Sequence, residues 1–396
     1  MKRLFGCMAT LMGVVVAGPV LAKDIKIGVF LGFTGPIESI VADMAPGAEM
    51  AIKEVSDSGK LLGGVKVLPV RADTTCTDSA VATAAAERLI TSDKVKAIVG
   101  GDCSGVTTAA LKNVAVPNGI VMISPSATSP ALSTIEDKGL FFRTAPSDAR
   151  QGEIVSDILK EKSVKSIAIT YTNNDYGKGL ADSIKTNFKK TGGKVTIVNP
   201  HEDGKGDYTA EVGALAAAGG EVLVVAGYLD QGGKGIIQAS IDTGAFDTFY
   251  LPDGMVGDAI GKAIGSGLDR SYGANPGTDS PGAATYSKMA KAAGFKSGPF
   301  SPESYDAAAL ILLAMQAAGS TESGKLKDKV FEVANAPGEK IFPGELAKGL
   351  EILKNGGDID YVGGSAVELV GAGESAGSYR QVKWSNGGKL EVVGYR

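Results

Sequence analysis

Short apolar segments that end abruptly in glycine or hydroxylated residues recur in the first part of the chain, at residues 24–31, 65–72, 95–100 and 120–123. Continuous apolar runs bounded by turn residues are typical of strands buried in a parallel sheet. Segments with helical periodicity separate them, so the order βαβαβαβ predicts a doubly wound α/β sheet. Pro69 cannot donate to a strand ladder, so we expect the second strand at an edge, in the order 2-1-3-4.

A second set of the same kind starts near residue 145, after a segment at 141–147 (FFRTAPS) that interrupts the rhythm. In this set, a helix at 148–162 precedes predicted strands at 166–172, 194–198, 221–226 and 249–251. The length of 396 residues is also typical of two domains. The sequence therefore predicts a second α/β lobe of the same class.

Two later segments have clear patterns of their own. Residues 304–318 are strongly apolar, which predicts a buried helix. Asn386-Gly387-Gly388 is a strong turn signal between two apolar runs at 379–384 and 390–393, which predicts a hairpin. The pattern alone does not assign these late elements to one lobe or the other.

The first 22 residues have the parts of a secretory signal peptide. Lys2 and Arg3 form a basic start, residues 4–16 are mostly apolar, and 20–22 (VLA) is a small-residue cleavage site. We expect the mature, exported chain to begin at Lys23. A membrane anchor is the weaker alternative, because the apolar run is short and contains glycines and a proline.

Removal of the signal peptide leaves two cysteines, Cys76 and Cys103. Each follows a predicted strand, so both are expected at the carboxyl edge of one sheet, where we predict a disulfide between them. Two free thiols are the alternative, and an oxidising compartment disfavours it. No metal site is expected, because His201 is the only histidine and no Cys-x-x-Cys is present.

Charge and motifs argue against several classes of function. The chain has a net charge of −4 without basic clusters, which disfavours nucleic acid and anionic membranes as partners. No P-loop is present, and the glycines near the first strand do not match G-x-G-x-x-G. A hydrolase triad would need His201, but no G-x-S-x-G is present. We therefore expect neither an enzyme nor a cofactor.

Hydroxylated residues follow two neighbouring predicted strands in the stretch from residue 100 to residue 130. The first strand ends in Asp102-Cys103-Ser104-Gly105 and the second in Ser124-Pro125-Ser126-Ala127-Thr128. Ligands of open α/β sheets bind outside the carboxyl ends of the strands. Hydroxyls and free N–H groups there suit a small anion such as a carboxylate. The alternative is that these side chains only cap helices and turns.

With these residues in place, the chain resembles the periplasmic binding proteins for leucine, isoleucine and valine, which are receptors for ABC importers. The resemblance covers nearly all of residues 24–396. It rests on a series of short motifs in a fixed order: IKIGVFLGFTGP, Cys76 with Cys103-Ser104, MISPSAT, FFRTAPSD, NNDYGKGLA and SYDAAALI.

The resemblance implies a type I periplasmic binding-protein fold, in which two Rossmann-like lobes are joined by three hinge crossings. Lobe 1 is expected from residues 23–145 plus about 275–370, and lobe 2 from 146–274 plus about 371–396. Cys76 and Cys103 match the family's disulfide. The ligand is expected to lie between the lobes and to be enclosed by hinge closure.

The resemblance also implies roles for individual residues. Ser104 and Thr128 match a serine and a threonine that hold the ligand's α-carboxylate. Ser126 matches the residue whose carbonyl accepts from the α-ammonium, and Asp253 matches an acidic residue that completes the ammonium site. The alternative for Asp253 is a simple turn residue before Gly254.

Tyr176 and Tyr228 match residues that line the second lobe's face of the site, with ordinary packing between lobes as the alternative.

Three departures from the family pattern stand out. Residues 37–40 (IESI) replace a loop that often carries an aromatic contact to the ligand, and Asp253 is shorter than the glutamate of leucine-type members. Residues 370–374 (VGAGE) differ near the third crossing.

The expected function is capture of a small amino acid, of the branched-chain type, in the periplasm and its delivery to the membrane permease of an ABC importer. The expected protein is a monomer without metal, cofactor or nucleic-acid partner. Two alternatives stay open. The same fold could bind an amide or an aromatic carboxylate, or it could present a ligand to a signalling receptor.

Overall fold

The computed structural model describes residues 24–396. The predicted signal peptide, residues 1–22, lies outside the described residues. Within residues 24–396, no helix combines the length and the apolar character needed to cross a bilayer. The described chain contains two seven-stranded sheets and one small two-stranded sheet.

The strands of the first half, in chain order, are β1 (Ile25–Leu31), β2 (Val67–Asp73), β3 (Ile98–Gly100), β4 (Met122–Ser124), β5 (Phe141–Arg143), β6 (Ser166–Thr172), β7 (Lys194–His201) and β8 (Val222–Ala226). Those of the second half are β9 (Phe249–Leu251), β10 (Tyr272–Pro276), β11 (Glu339–Ile341), β12 (Ile359–Tyr361), β13 (Leu369–Val370), β14 (Glu374–Ser375), β15 (Tyr379–Ser385) and β16 (Lys389–Tyr395).

The α-helices up to β9 are α1 (Glu38–Ser58), α2 (Ser79–Glu87), α3 (Ser104–Ala110), α4 (Val116–Asn118), α5 (Asp148–Glu161), α6 (Asp175–Lys190), α7 (Thr209–Ala218) and α8 (Gly232–Asp242). The later ones are α9 (Asp258–Ile264), α10 (Pro281–Ala292), α11 (Ser301–Ala318), α12 (Ser323–Leu326), α13 (Val330–Ala334) and α14 (Leu346–Lys354). A π-helical turn at Leu111–Ala115 joins α3 to α4.

The first sheet has the order β13-β14-β5-β4-β3-β1-β2. The predicted order 2-1-3-4 is confirmed, and β2, which carries Pro69, is the edge strand. One detail of the prediction is wrong: the FFRTAPS segment was expected to interrupt the strands, but its first three residues form β5, which pairs in parallel with β4. The predicted buried helix is α11, which packs against α1 and is buried over most of its length.

The second sheet has the order β16-β15-β10-β9-β8-β6-β7. Its four predicted parallel strands are present, and the C-terminal hairpin is confirmed as the antiparallel pair β15 and β16. Strand β10 was not predicted. It pairs in parallel with β9 and antiparallel with β15, and so connects the hairpin to the sheet.

The chain passes between the two large sheets three times, as the type I fold requires. The passages follow β5, β10 and β14. The last one lies between Ser375 and Tyr379, later than the expected boundary near residue 371, because residues 369–375 form β13 and β14 and extend the first sheet. Gly277 N donates to the carbonyl of Ser378 (3.0 Å), so the second and third passages are bonded to each other.

The predicted disulfide joins Cys76 and Cys103, whose Cα atoms lie 5.2 Å apart. Cys76 follows β2, and Cys103 follows β3 and precedes Ser104 at the start of α3. The bond therefore ties two loops together at the carboxyl edge of the first sheet.

Cys76→Ala should lower the free energy of unfolding by about 3–4 kcal/mol, because the bond closes a loop with a sequence separation of 27 residues. Urea unfolding of the oxidised protein measures this loss. Adding a reductant should lower the stability of the wild type by a similar amount and leave the variant unchanged. A variant as stable as the oxidised wild type would contradict the prediction.

Candidate functional site

The loops at the carboxyl ends of the two large sheets face each other across a narrow cleft. Residues that follow β1, β3 and β4 lie on one side, and residues that follow β6, β8 and β9 lie on the other. The lining is Ile37, Ile40, Asp102, Cys103, Ser104, Ser126, Tyr176, Tyr228, Asp253, Gly254 and Phe300. The cavity between the walls has a volume of only about 20 Å³, so the walls nearly touch. An amino acid can enter only if the walls separate.

Ser104 and Ser126 lie in the wall of the cleft that the first sheet contributes. The Ser104 hydroxyl accepts a hydrogen bond from Ser129 N at 3.1 Å. The Ser126 hydroxyl donates to the carbonyl of Asp102 at 3.1 Å. The structural role that the sequence left open is thus present, because these bonds connect the loops that follow β3 and β4. Both residues also line the cleft.

Asp102 anchors this wall from inside the first lobe. Its buried carboxylate accepts hydrogen bonds from Gly32 N, from the Thr74 hydroxyl at 2.8 Å and from Cys103 N at 2.9 Å. Burial raises the pKa of Asp102, and these donors oppose the shift. Asp102 therefore holds the loops after β1, β2 and β3 in one arrangement.

The opposite wall contains Tyr176, Tyr228 and Asp253. The Tyr176 hydroxyl donates to Asp253 Oδ1 at 2.6 Å, and Gly254 N donates to the same oxygen at 2.8 Å. The two tyrosine rings are stacked, with centroids 5.1 Å apart and planes 15° apart. This wall thus combines a buried carboxylate with a flat aromatic surface.

A second buried carboxylate, Asp148, lies near Asp253 and was not predicted from the sequence. Gln151 connects the two residues: its Nε2 donates to Asp148 Oδ1 at 3.1 Å, and its Oε1 accepts from Asp253 N at 3.3 Å. Burial and then the neighbouring charge of Asp253 raise the pKa of Asp148 well above its usual range. Burial also raises the pKa of Asp253. A positive group beside this pair would favour the ionised forms.

Thr128 is fully buried and is not part of the lining of the cleft. Its carbonyl accepts from Asp148 N at 2.8 Å. Its hydroxyl lies beside the Asp148 carboxylate without the geometry of a hydrogen bond. Among the atoms of residues 24–396, neither Thr128 Oγ1 nor Asp148 Oδ2 has a hydrogen-bond partner. Both atoms therefore keep unused hydrogen-bonding capacity close to the cleft.

Arg143, the buried arginine of the FFRTAPSD motif, fixes the turn that carries Thr128. Its guanidinium donates to the carbonyls of Ala127 (3.0 Å) and Ser129 (2.9 Å), on either side of that residue. It also pairs with Glu374 on β14. The short strand β14 thus contributes to the site by holding this arginine in place.

Ile37, Ile40 and Phe300 supply the apolar part of the lining. The first two lie at the position where the sequence departs from the family's aromatic contact. All three come from the side of the first sheet and share the lining with Ser104 and Ser126. Once the walls separate, the cleft therefore offers apolar surface to an aliphatic group.

Residues 24–396 contain no cluster of His, Cys, Asp or Glu side chains that could hold a metal ion. His201 is buried, and its Nδ1 is hydrogen-bonded to the Thr170 hydroxyl at 2.8 Å. Burial lowers the pKa of His201 to about 4. A neutral, buried histidine bonded to a neighbouring strand has a structural role, and it does not line the cleft.

A profile of the periplasmic binding protein family matches residues 24–341. The chain belongs to this family. A protein of Brucella melitensis described as "Leu/Ile/Val-binding protein homolog 1" is 31% identical over 346 residues, which cover 86% of this chain and 88% of that protein. The family consists of solute-binding proteins, and these matches agree with the fold.

Solved structures support the same fold for this binding protein. The leucine-binding protein of Thermotoga maritima superposes with a TM-score of 0.79 at 20% identity and covers 94% of this chain and 98% of its own. A solute-binding protein of R. palustris in complex with benzoate gives a TM-score of 0.73 at 18% identity, with 94% and 96% coverage.

Asp148 shows what sequence reasoning missed in the binding protein. The residue ends the FFRTAPSD motif, but it stands directly after Ser147, the N-cap of α5, where an acidic side chain is ordinary. Its link through Gln151 to Asp253, 105 positions further on, exists only in the folded chain. The motif was the available signal, and it gave no role to its last residue.

Asp148→Asn should stabilise the ligand-free binding protein more strongly as pH rises from about 4 to 7. The folded-state pKa lies above the unfolded value of about 3.9, so the folded wild type binds more protons and loses stability as pH rises above that value. Asparagine does not titrate and removes this loss. Urea unfolding at pH 4.5, 6 and 7.5 measures the difference.

Asp157→Asn is the matched control, because Asp157 lies on the exposed face of the same helix. It should shift stability little at every pH. A constant difference between wild type and Asp148→Asn across the pH range would contradict the prediction.

Proposed function

We propose that this binding protein captures a small amino acid of the leucine, isoleucine or valine type between its two lobes and delivers it to an ABC importer. The observation that carries the proposal is the buried carboxylate of Asp253 on one wall of a cleft whose other wall carries Ser104 and Ser126. A second buried acid, Asp148, is linked to Asp253 through Gln151. Charged groups lose their water when the cleft closes, so each must be paired. The two walls offer partners of opposite kinds to the two ends of a zwitterion.

In the proposed complex, the ligand's carboxylate is held by the hydroxyls of Ser104 and Thr128 and by main-chain N–H groups near them. The ammonium group is bound by Asp253 and by the carbonyl of Ser126. The unused hydrogen-bonding capacity of Thr128 Oγ1 supports its part in this set. Thr128 is not in the lining of the narrow cleft, so its contact requires the walls to rearrange around the ligand.

The lining also supports the proposed class of side chain. Ile37, Ile40 and Phe300 offer apolar surface to an aliphatic group. Burying one methylene group contributes about 0.8 kcal/mol, so branched aliphatic side chains gain more than alanine does. The Leu/Ile/Val-binding relative in Brucella agrees with this preference.

An aromatic carboxylate is the second candidate ligand. The stacked rings of Tyr176 and Tyr228 offer a flat surface, and the R. palustris structure of similar fold contains benzoate. The buried carboxylates favour the amino acid, because benzoate has no positive group to pair with them. A sensor that presents either ligand to a signalling receptor would use the same site.

We also propose that the two sheets mark two lobes that move about the three passages. Contacts across the cleft are consistent with a closed arrangement: Asp230 N donates to the carbonyl of Pro36 at 3.0 Å, and Asp230 Oδ2 accepts from Ser39 N at 2.9 Å. A ligand that bridges both walls binds the closed state better and shifts the population towards it. The proposed site of action is the periplasm, with the protein as a monomer.

Asp253→Asn should weaken leucine binding by about 10- to 100-fold, because a hydrogen bond to a charged group contributes about 1.5–3 kcal/mol. The affinity for benzoate, if any, should not fall. Isothermal titration of wild type and variant with leucine, isoleucine, valine, alanine and benzoate measures both effects.

The matched control is Asp247→Asn, at an exposed aspartate whose partner is Arg270 on the surface. It should bind every ligand like the wild type. If the wild type binds benzoate and none of the amino acids, the aromatic acid replaces the amino acid as the proposed ligand. If it binds none of the five, both proposals fail.

Thr128→Val should weaken leucine binding by about 1–3 kcal/mol, because it removes a hydroxyl donor from the ligand's carboxylate. Thr134→Val is the control, since the Thr134 hydroxyl lies nearby in sequence and is bonded to the carbonyl of Ala131 at 3.3 Å. Titration with leucine separates the two variants. If Thr128→Val binds leucine as tightly as Thr134→Val does, Thr128 is not part of the site.

A further inference from the structure

A second cavity lies beside the hinge, apart from the ligand cleft. Its cavity volume is about 300 Å³, whereas that of the cleft is about 20 Å³. We call it the hinge cavity and define it by Gly277, Ser280, Glu303, Ser365, Arg380 and Tyr395, which line it. Gly277 and Ser280 lie on the second passage, and Arg380 follows the third. The hinge cavity thus touches the segments that must bend when the lobes move.

Glu303 contributes a buried acid to the hinge cavity from the first turn of α11. Its side chain is 2% exposed, and its Oε2 has no hydrogen-bond partner within residues 24–396. Its main-chain carbonyl accepts from the Thr144 hydroxyl at 2.8 Å, which connects it to the first passage. Burial raises the pKa of Glu303 to about 8, although the charge of Arg380 opposes the shift. A pKa in this range favours the protonated form at neutral pH, and that form can donate a hydrogen bond.

Arg380 contributes a cation from β15, on the side of the second sheet. Its Nε and Nη2 both donate to Asn275 Oδ1, at 3.3 Å each, which is long for a guanidinium bond. No carboxylate in the described part of the chain lies within ion-pair distance of it. Burial lowers the pKa of Arg380, which shows the cost of removing this charge from water. The acid that acts most strongly on Arg380 is Glu303, whose charge would oppose this shift but which is too far away for an ion pair. The guanidinium therefore has one weak neutral partner and can still bind an anion.

We propose that the hinge cavity binds a small monocarboxylate, with Arg380 as the counter-charge and Glu303 as a second hydrogen-bond donor. The planar guanidinium fork matches the two oxygens of a carboxylate. One cation neutralises one charge, and Asp279, which also lines the cavity, disfavours a dianion. The N-terminus of α10, a helix of 12 residues that begins just after Ser280, adds a favourable potential for a negative group.

The proposed ligand would touch both lobes at once, because Glu303 belongs to a helix that packs on the first sheet and Arg380 belongs to the second sheet. Its binding is therefore sensitive to the angle between the lobes. This site does not depend on which ligand the cleft takes. A plain monocarboxylate and the carboxylate end of an amino acid share the required chemistry, so acetate and glycine serve as separate probes.

Saturation-transfer NMR with the purified protein measures the binding of acetate, and methyl acetate serves as the uncharged control. The wild type should bind acetate saturably and should not bind methyl acetate. Arg380→Gln should raise the dissociation constant for acetate by at least tenfold. The control is Arg270→Gln, at an exposed arginine close to the second sheet, which should leave the dissociation constant unchanged. Glycine binding that Arg380→Gln also weakens would extend the site to amino acids.

Glu303→Gln and Glu303→Leu provide an independent check should Arg380→Gln fail to fold, as circular dichroism would show. Glutamine keeps an N–H donor and should retain acetate binding, whereas leucine removes the donor and should weaken it. Acetate binding that is unchanged in both Arg380→Gln and Glu303→Leu would overturn the proposal. So would a wild type that shows no saturable acetate binding.

Discussion

The burial of two carboxylates side by side is the constraint on which the chemistry of the cleft depends. Asp148 follows the first passage between the sheets and Asp253 follows β9, and the fold places both against Gln151. Buried charge without a partner is costly, so each acid must be hydrogen-bonded, protonated or paired with a cation. Tyr176 and Gly254 N satisfy one oxygen of Asp253, while Asp148 Oδ2 stays unpaired. A positive group beside Asp253 would therefore be favoured, which supports the proposed amino-acid ligand.

Most of the fold was predictable, because strands buried on both faces leave continuous apolar runs in the sequence. The elements that were missed lack that signal for physical reasons. β5 has three residues and ends in Arg143, and β10 (Tyr272–Pro276) contains glycine, asparagine and proline. β14 has two residues and exists only because the chain returns to pair with β5. Strands of this kind are stabilised by their neighbours in the sheet, which lie far away in sequence.

Residues of the cleft lining were easiest to predict where they follow a strand. Ser104, Ser126 and Asp253 each follow a strand and line one cleft, as the rule for ligands of open α/β sheets leads us to expect. The role of Asp253 was inferred from the family resemblance, and the ligand contacts of all three residues stay predictions. Thr128 shows the limit of that rule, because a turn held by Arg143 directs it into the protein rather than into the lining. Pattern locates a turn, but the tertiary hydrogen bonds decide which of its residues face the cleft.

The same structure indicates why a ligand, rather than the protein alone, should decide the closed state. Across the cleft, the Asp230 contacts are two hydrogen bonds, and Lys296 with Asp258 is an exposed ion pair. Hydrogen bonds contribute about 0.5–1.5 kcal/mol each and exposed ion pairs about 0–1 kcal/mol. A ligand adds only the difference between its affinities for the closed and the open state, which is about 2.8 kcal/mol for a 100-fold difference. The protein's own contacts and such a difference are of similar size, so a ligand that bridges both walls is enough to shift the population towards closure.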